Sequence, residues 1–178
     1  VLGDRNLEKI SLLNDLSRKM VMGSCSLDYA FRKMKDIKNK TRYSNLAVLS
    51  ALTISAPFFA IMFGGTFKDS IVSFVVMAVE AAFLLFIGRY KVIYFLTNFL
   101  GAFISTVLVM ILAKFFFIHN PVSIIIVSLM PLVPGVQITN SVRDFMAGDY
   151  LSGIIGVQSA IFVSVAIALG VVMGLKIV

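Results

Sequence analysis

Apolar residues recur along this chain in two different rhythms. Between residues 6 and 40 they return every three or four positions. Leu7, Ile10, Leu13, Leu16 and Met20 form one stripe, with Glu8, Lys9, Asp15, Arg18 and Lys19 elsewhere, which predicts a short amphipathic helix. Gly23 tolerates the left-handed backbone that ends helices. Ser24 or Ser26 can then cap a second helix whose first turn carries Asp28. That helix places Leu27, Ala30, Phe31, Met34 and Ile37 on one side and Arg32, Lys33, Lys35, Lys38 and Lys40 mostly on the rest. Two helices this short are marginal alone, so the pair is expected to lie as a hairpin against the membrane or a partner domain.

From Leu46 onward the short period gives way to long apolar runs. Residues 46–63, 92–113 and 150–175 carry no charge, and residues 70–88 carry only Glu80. Residues 115–142 lack formal charge but contain Pro131 and Pro134. About 20 apolar residues span the hydrocarbon of a bilayer. Four of these runs therefore predict membrane helices outright. The Pro-broken run either crosses as a fifth or re-enters on one side; five crossings are preferred, because residues 122–142 supply 21 positions. The expected fold class is all-α: a polytopic membrane protein with a helical region at 1–44 and a transmembrane domain at 45–178.

Composition agrees. Of the 178 residues 59% are hydrophobic and 14% charged, and the mean hydropathy is +0.97. Soluble domains run nearer 45–50% apolar and about 25% charged, which excludes a soluble globular enzyme. Residues 1–44 hold ten of the sixteen basic residues and five of the nine acidic ones. Basic segments beside a membrane face the cytoplasm. The acids interspersed among these bases suit solvated helix faces rather than a phosphate track, so nucleic acid is not expected as a partner. With the N-terminus inside, 13 basic residues fall on the inner side and three on the outer, for either topology. Cys25 is the single cysteine and His119 the single histidine, neither with partners at diagnostic spacing, so no metal, cofactor or catalytic triad is expected. The chain begins at Val1 without a signal-peptide pattern.

The candidate chemistry lies in the broken run. Pro131 and Pro134 remove amide donors and clash with carbonyls one turn earlier, and Gly135 adds freedom. In lipid the released carbonyls need other partners, so such a break survives inside protein or beside a water-filled cavity. Transporters use interrupted helices in this way; a plain kink with a polar end emerging into water is the alternative. Beyond the break, Gln137, Asn140, Ser141 and Asp144 share one side of a continuing helix, flanked by Thr139 and Arg143. Arg143 suits a carboxylate, because its planar fork donates two parallel hydrogen bonds. A surface pair with Asp144 or Asp149 would equally explain it. Glu80 sits mid-run, where a charge costs at least ~2.5 kcal/mol on insertion scales. It should face inward, as a proton relay or as a protonated group bonding a neighbouring helix. Asn98 reads as interhelical glue, and the small residues Ser152, Gly156, Ala160, Ser164 and Ala168 as a packing stripe on the last helix, with Gly170 and Gly174 repeating the spacing on a neighbouring face.

These motifs resemble a known family. The run Met130-Pro131-Leu132-Val133-Pro134-Gly135, then Thr139-Asn140-Ser141-Val142-Arg143-Asp144 and Gly148-Asp149-Tyr150-Leu151-Ser152-Gly153, looks like the signature of the threonine/serine exporters. Asn14-Asp15-Leu16-Ser17-Arg18 and Phe63-Gly64-Gly65 with Asp69 are similar too. The resemblance implies a secondary exporter built from two five-helix units, fused or separate, and this chain is similar to the larger subunit, whose bacterial relatives include a succinate exporter. Such subunits carry further residues upstream of the part matching 1–41, so the chain is expected to be incomplete at its N-terminus.

The resemblance further implies proton-driven export of a small amino acid or a dicarboxylate across a bacterial inner membrane. The partners implied are a carboxylate substrate, membrane lipid, and a second five-helix subunit or a second copy. Pro134, Gly135, Gln137, Thr139, Asn140, Arg143 and Asp144 are the expected substrate-path residues, with Asp144 orienting Arg143 and Glu80 coupling protons. The rival expectation is a membrane scaffold whose polar groups only pack helices.

Overall fold

A computed structural model of the chain describes residues 7–39, 45–90, 92–116 and 118–178. Val1, Lys40, Thr41, Lys91 and the expected domain boundary at 44 lie outside the described residues. The described residues are mostly helical, with no strand among them. The chain divides into two compact units, Val1–Asn45 and Leu46–Val178.

The first unit is an antiparallel hairpin of α1 (Leu7–Val21) and α2 (Leu27–Asn39). Gly23 takes φ +67° at the turn, and the Ser26 hydroxyl accepts from the Tyr29 amide at 3.3 Å, so Ser26 rather than Ser24 caps α2. Leu16, Ala30 and Ile37 form its core, with Leu12 and Cys25 packed on them. The Lys9 ammonium donates to the Lys38 carbonyl at 2.8 Å. One hairpin cannot cover both stripes: Ile10, Leu13, Phe31 and Met34 stay exposed.

The second unit holds α3 (Asn45–Met62), α4 (Phe67–Ile87), α5 (Tyr94–Phe115), α6 (Pro121–Leu129), α7 (Gly135–Met146) and α8 (Tyr150–Ile177). α4, α5 and α8 are each long and apolar enough to cross a membrane; the apolar part of α3, Leu46–Met62, is shorter. The Pro-broken run becomes two helices, α6 of nine residues and α7 of twelve, joined by non-helical residues 130–134. Proline at 131 and 134 withholds two amides there.

Three apolar clusters fix how these helices run. Val76 of α4 packs with Val109 of α5 and Ile124 and Ile125 of α6. Ala56 and Ala60 of α3 meet Met77 and Val127. Leu84, Ala102, Leu132, Val163 and Ile167 form the third, so the break sits among α4, α5 and α8. α4 and α5 are antiparallel, because Leu84 meets Ala102 while Val76 meets Val109. α5 and α8 run parallel: a β-carbon at Gly170 would lie 2.5 Å from the Phe99 carbonyl oxygen, and one at Gly174 would lie 2.9 Å from Thr106 Cβ. At the far ends of this pair the Lys114 ammonium donates to the Val178 carbonyl at 2.8 Å.

The packing stripe of α8 differs from expectation. Ser152, Ser164 and Ala168 are exposed. The residues turned toward α5 and α7 are Gly153, Gly156, Ala160, Val163, Ile167, Gly170 and Gly174. Steps of four drift by ~40° each around a 3.6-residue helix, whereas alternating steps of three and four stay on one face. Large apolar side chains such as Phe58, Phe86, Ile154 and Phe162 point outward, as they do when the solvent is hydrocarbon.

Candidate functional site

Glu80 lies on the inward face of α4, in line with Ser73, Val76, Met77 and Leu84, and is fully buried. The Ser105 hydroxyl of α5 donates to its Oε2 at 2.5 Å. Its other oxygen, Oε1, is buried with no hydrogen-bond partner, and neither described ion pair involves it. Gly101, one turn before Ser105, leaves the space that Oε1 fills. A β-carbon there would lie 2.7 Å from Oε1 and 3.2 and 3.3 Å from the two methyls of Leu132. The carboxyl of α4, the smallest residue of α5 and a side chain of the break thus meet at one point.

The break keeps few backbone hydrogen bonds, two of them on one carbonyl. The Leu132 and Val133 amides both donate to the Leu129 carbonyl, at 2.9 and 3.3 Å, and the Gly135 amide donates to Val133 at 2.9 Å. Leu132 and Pro134 are buried. α7 then starts at Gly135 with no side-chain cap, so the first-turn amides of Val136 and Gln137 are available as donors. A β-carbon at Gly135 would meet nothing within 4 Å.

The polar face of α7 turns toward α8. Ser141 is buried, and Gln137, Asn140 and Asp144 are half-buried. Gly156 of α8 is what allows this, because a β-carbon there would collide with the Ser141 hydroxyl. The Ser141 hydroxyl donates to the Gln137 carbonyl at 2.8 Å, while the Gln137 Oε1 is buried without a partner. Thr139 and Arg143 lie on the other, exposed side among Val136, Ile138, Val142 and Met146. The Thr139 hydroxyl donates to the Gly135 carbonyl at 3.0 Å.

Arg143 stands eight residues, about 12 Å of helix rise, from Gly135. Its Nη2 lies 3.9 Å from Asp144 Oδ1, a long contact with 74% of the Arg143 side chain exposed. Asp149 is not its partner. It caps α8 by accepting from the Ser152 amide at 3.2 Å, and hydrogen bonds from Ser152 hold its carboxyl below the usual range. The expected path residues therefore form two groups: Pro134, Gly135, Gln137, Thr139 and Asn140 near the break, and Arg143 with Asp144 at the far end of α7. Glu80 joins the first group through Leu132 rather than through α7.

Sequence reading missed Ser105, Gly101 and Leu132 as neighbours of Glu80. The available signal was a narrow face on α5, where Gly101, Ala102, Ser105 and Thr106 fall one turn apart. It also misread Asn98, whose side-chain amide donates to the Tyr94 carbonyl of its own helix at 2.7 Å. Asp69 proves to be an anchor. It accepts from the Thr66 amide and hydroxyl at 2.8 and 2.9 Å and from the His119 amide at 3.0 Å, tying the start of α4 to the loop before α6. Among the described residues no cluster of three metal-ligating side chains occurs.

No curated protein and no solved structure matches the chain. Residues 3–178 match a family of membrane exporters, not of enzymes, described as "Putative threonine/serine exporter". The match covers both helical units and includes the broken run, and so the chain belongs to the threonine/serine exporter family.

Proposed function

We propose that this chain is a five-crossing exporter subunit that moves threonine, serine or a succinate-like dicarboxylate, driven by the proton gradient. It sits in a bacterial inner membrane with its N-terminus in the cytoplasm and works with a second five-helix subunit or a second copy. The parallel course of α5 and α8 supports five crossings, since one net crossing between them is then required of α6 and α7 together. The basic residues 1–44 support the orientation.

The observation that carries the reading is the placement of Glu80 against the break. A buried carboxyl without a counter-charge is expensive in lipid and marks ion or proton pathways. Interrupted helices mark substrate sites in secondary transporters. Here the two features meet at Gly101, which is the kind of arrangement that coupling between proton and solute needs. In this reading the uncapped first turn of α7 receives the substrate carboxylate. Thr139 supplies a hydroxyl, Gln137 and Asn140 supply amides, and Arg143, oriented by Asp144, attracts the carboxylate at the inner end of the path.

Efflux from loaded vesicles tests it, with Arg143→Ala and Glu80→Gln. Loss of proton-driven flux in both, at normal expression, is expected. Wild-type flux in both overturns the assignment. A scaffold would instead show no solute flux in any reconstitution.

A further inference from the structure

We infer that Leu132 is a seal over Oε1 of Glu80, and that displacement of residues 130–134 opens this oxygen to water. The inference rests on the proton-coupling reading of Glu80 and assigns the atom and the gate. The two carboxyl oxygens are not equivalent. Oε2 is tied to the Ser105 hydroxyl at 2.5 Å, whereas Oε1 is buried and unpartnered. Oε1 and the two Leu132 methyls both border the slot left by the missing side chain of Gly101, where a β-carbon would lie 2.7 Å from Oε1 and 3.2 and 3.3 Å from the methyls.

Leu132 is 3% exposed, yet it belongs to non-helical backbone between two short helices. Pro131 and Pro134 give that backbone no amides, and the amides of Leu132 and Val133 share one acceptor, the Leu129 carbonyl. The side chain covering the proton site is thus carried by a weakly tied segment between rigid helices. When it moves aside, hydronium gives its proton to Oε1 and an O–H bond forms; that bond breaks when the proton returns to water. Among the described residues the other ionisable side chains of the packed helices sit near helix ends. α3 and α6 carry none, α5 carries Tyr94 in its first turn and Lys114 in its last, and α8 carries Tyr150 in its first and Lys176 in its last. α7 carries Arg143 and Asp144 toward its far end, and Lys68 and Asp69 lie three turns from Glu80 on α4.

The test uses the full chain in membrane vesicles, a water-soluble carbodiimide with an amine, and mass spectrometry of the peptide containing Glu80. A trapped pH dye reports proton entry without solute. Leu132→Ala should label Glu80 several-fold faster than wild type and leak protons, and the leak should vanish in the double variant with Glu80→Gln. Wild-type labelling and no leak would overturn the seal. Should Leu132→Ala fail to reach the membrane, Leu132→Val gives a smaller increase in labelling if the seal exists and none if it does not. The coupling reading fails separately: solute flux still driven by protons in Glu80→Gln removes it, whatever the labelling shows.

Discussion

The Ser105 hydroxyl donates to Oε2 of Glu80 at 2.5 Å, across the antiparallel pair α4 and α5. This is the one donor that the described residues offer to that carboxyl. A hydrogen bond to a charged group contributes ≈ 1.5–3 kcal/mol. Ser105→Ala should therefore slow proton-driven efflux by about tenfold, the equivalent of about 1.4 kcal/mol, while leaving expression near normal. Ser105→Thr keeps the hydroxyl and should keep most of the flux. Equal flux in Ser105→Ala and wild type would show that Glu80 works without its positioning partner.

Gly101→Ala places a methyl 2.7 Å from Glu80 Oε1 and against both Leu132 methyls. Overpacking of a filled core typically costs 1–3 kcal/mol. The variant should unfold at lower temperature in detergent, followed by far-ultraviolet circular dichroism, and should lose flux with it. An unchanged midpoint would mean that the three helices part more easily than their packing indicates.

Asp69 should matter for stability rather than for transport. Its carboxylate takes the Thr66 amide and hydroxyl and the His119 amide together. Asp69→Ala removes a helix cap and leaves buried donors unpaired, a loss of about 2–4 kcal/mol. Asp69→Asn retains one acceptor oxygen and should recover part of it. Thermal midpoints of the two variants, compared with flux per folded molecule, check this; reduced flux at undiminished stability would argue against an anchor.

How much of this was readable beforehand follows from where each signal resides. The break was legible because proline acts on its own backbone, whatever the surroundings. Glu80 was legible because a carboxyl in an apolar run has few tolerable directions to face. Ser105 and Gly101 were not, because a serine and a glycine in an apolar helix mean little until the register of α4 against α5 puts them opposite Glu80. The polar face of α7 could line a path or emerge into water, and its sequence alone does not choose. Beside hydrocarbon the preference of soluble helices inverts, and Val136, Val142 and Met146 take the outside while Gln137, Ser141 and Asp144 turn to α8. The small-residue stripe held at Gly156, Ala160, Gly170 and Gly174 but not at Ser152, Ser164 and Ala168, since strict steps of four leave the contact face.

The corrected stripe gives its own prediction. Gly170→Val on α8 would drive a branched side chain into the Phe99 carbonyl and the Ala102 methyl, so it should cut the folded yield sharply. Ala168→Val adds similar bulk at an exposed position and should be tolerated within about 0.5 kcal/mol. Equal effects of the two substitutions would mean that another chain covers the face bearing Ala168.

Gly135→Ala separates substrate contact from folding at the break. A β-carbon there meets nothing within 4 Å, and the residue opens α7 with a φ below zero. Replacing glycine by alanine at a compatible position stabilises by ≈ 0.4–1 kcal/mol, through the unfolded chain. The folded protein should therefore be as stable as wild type or slightly more so. If the substrate carboxylate approaches the first-turn amides of α7, the added methyl stands in its way, and efflux should fall through a raised KM. A stable Gly135→Ala variant with an unchanged KM would move the substrate away from this helix end and toward Arg143.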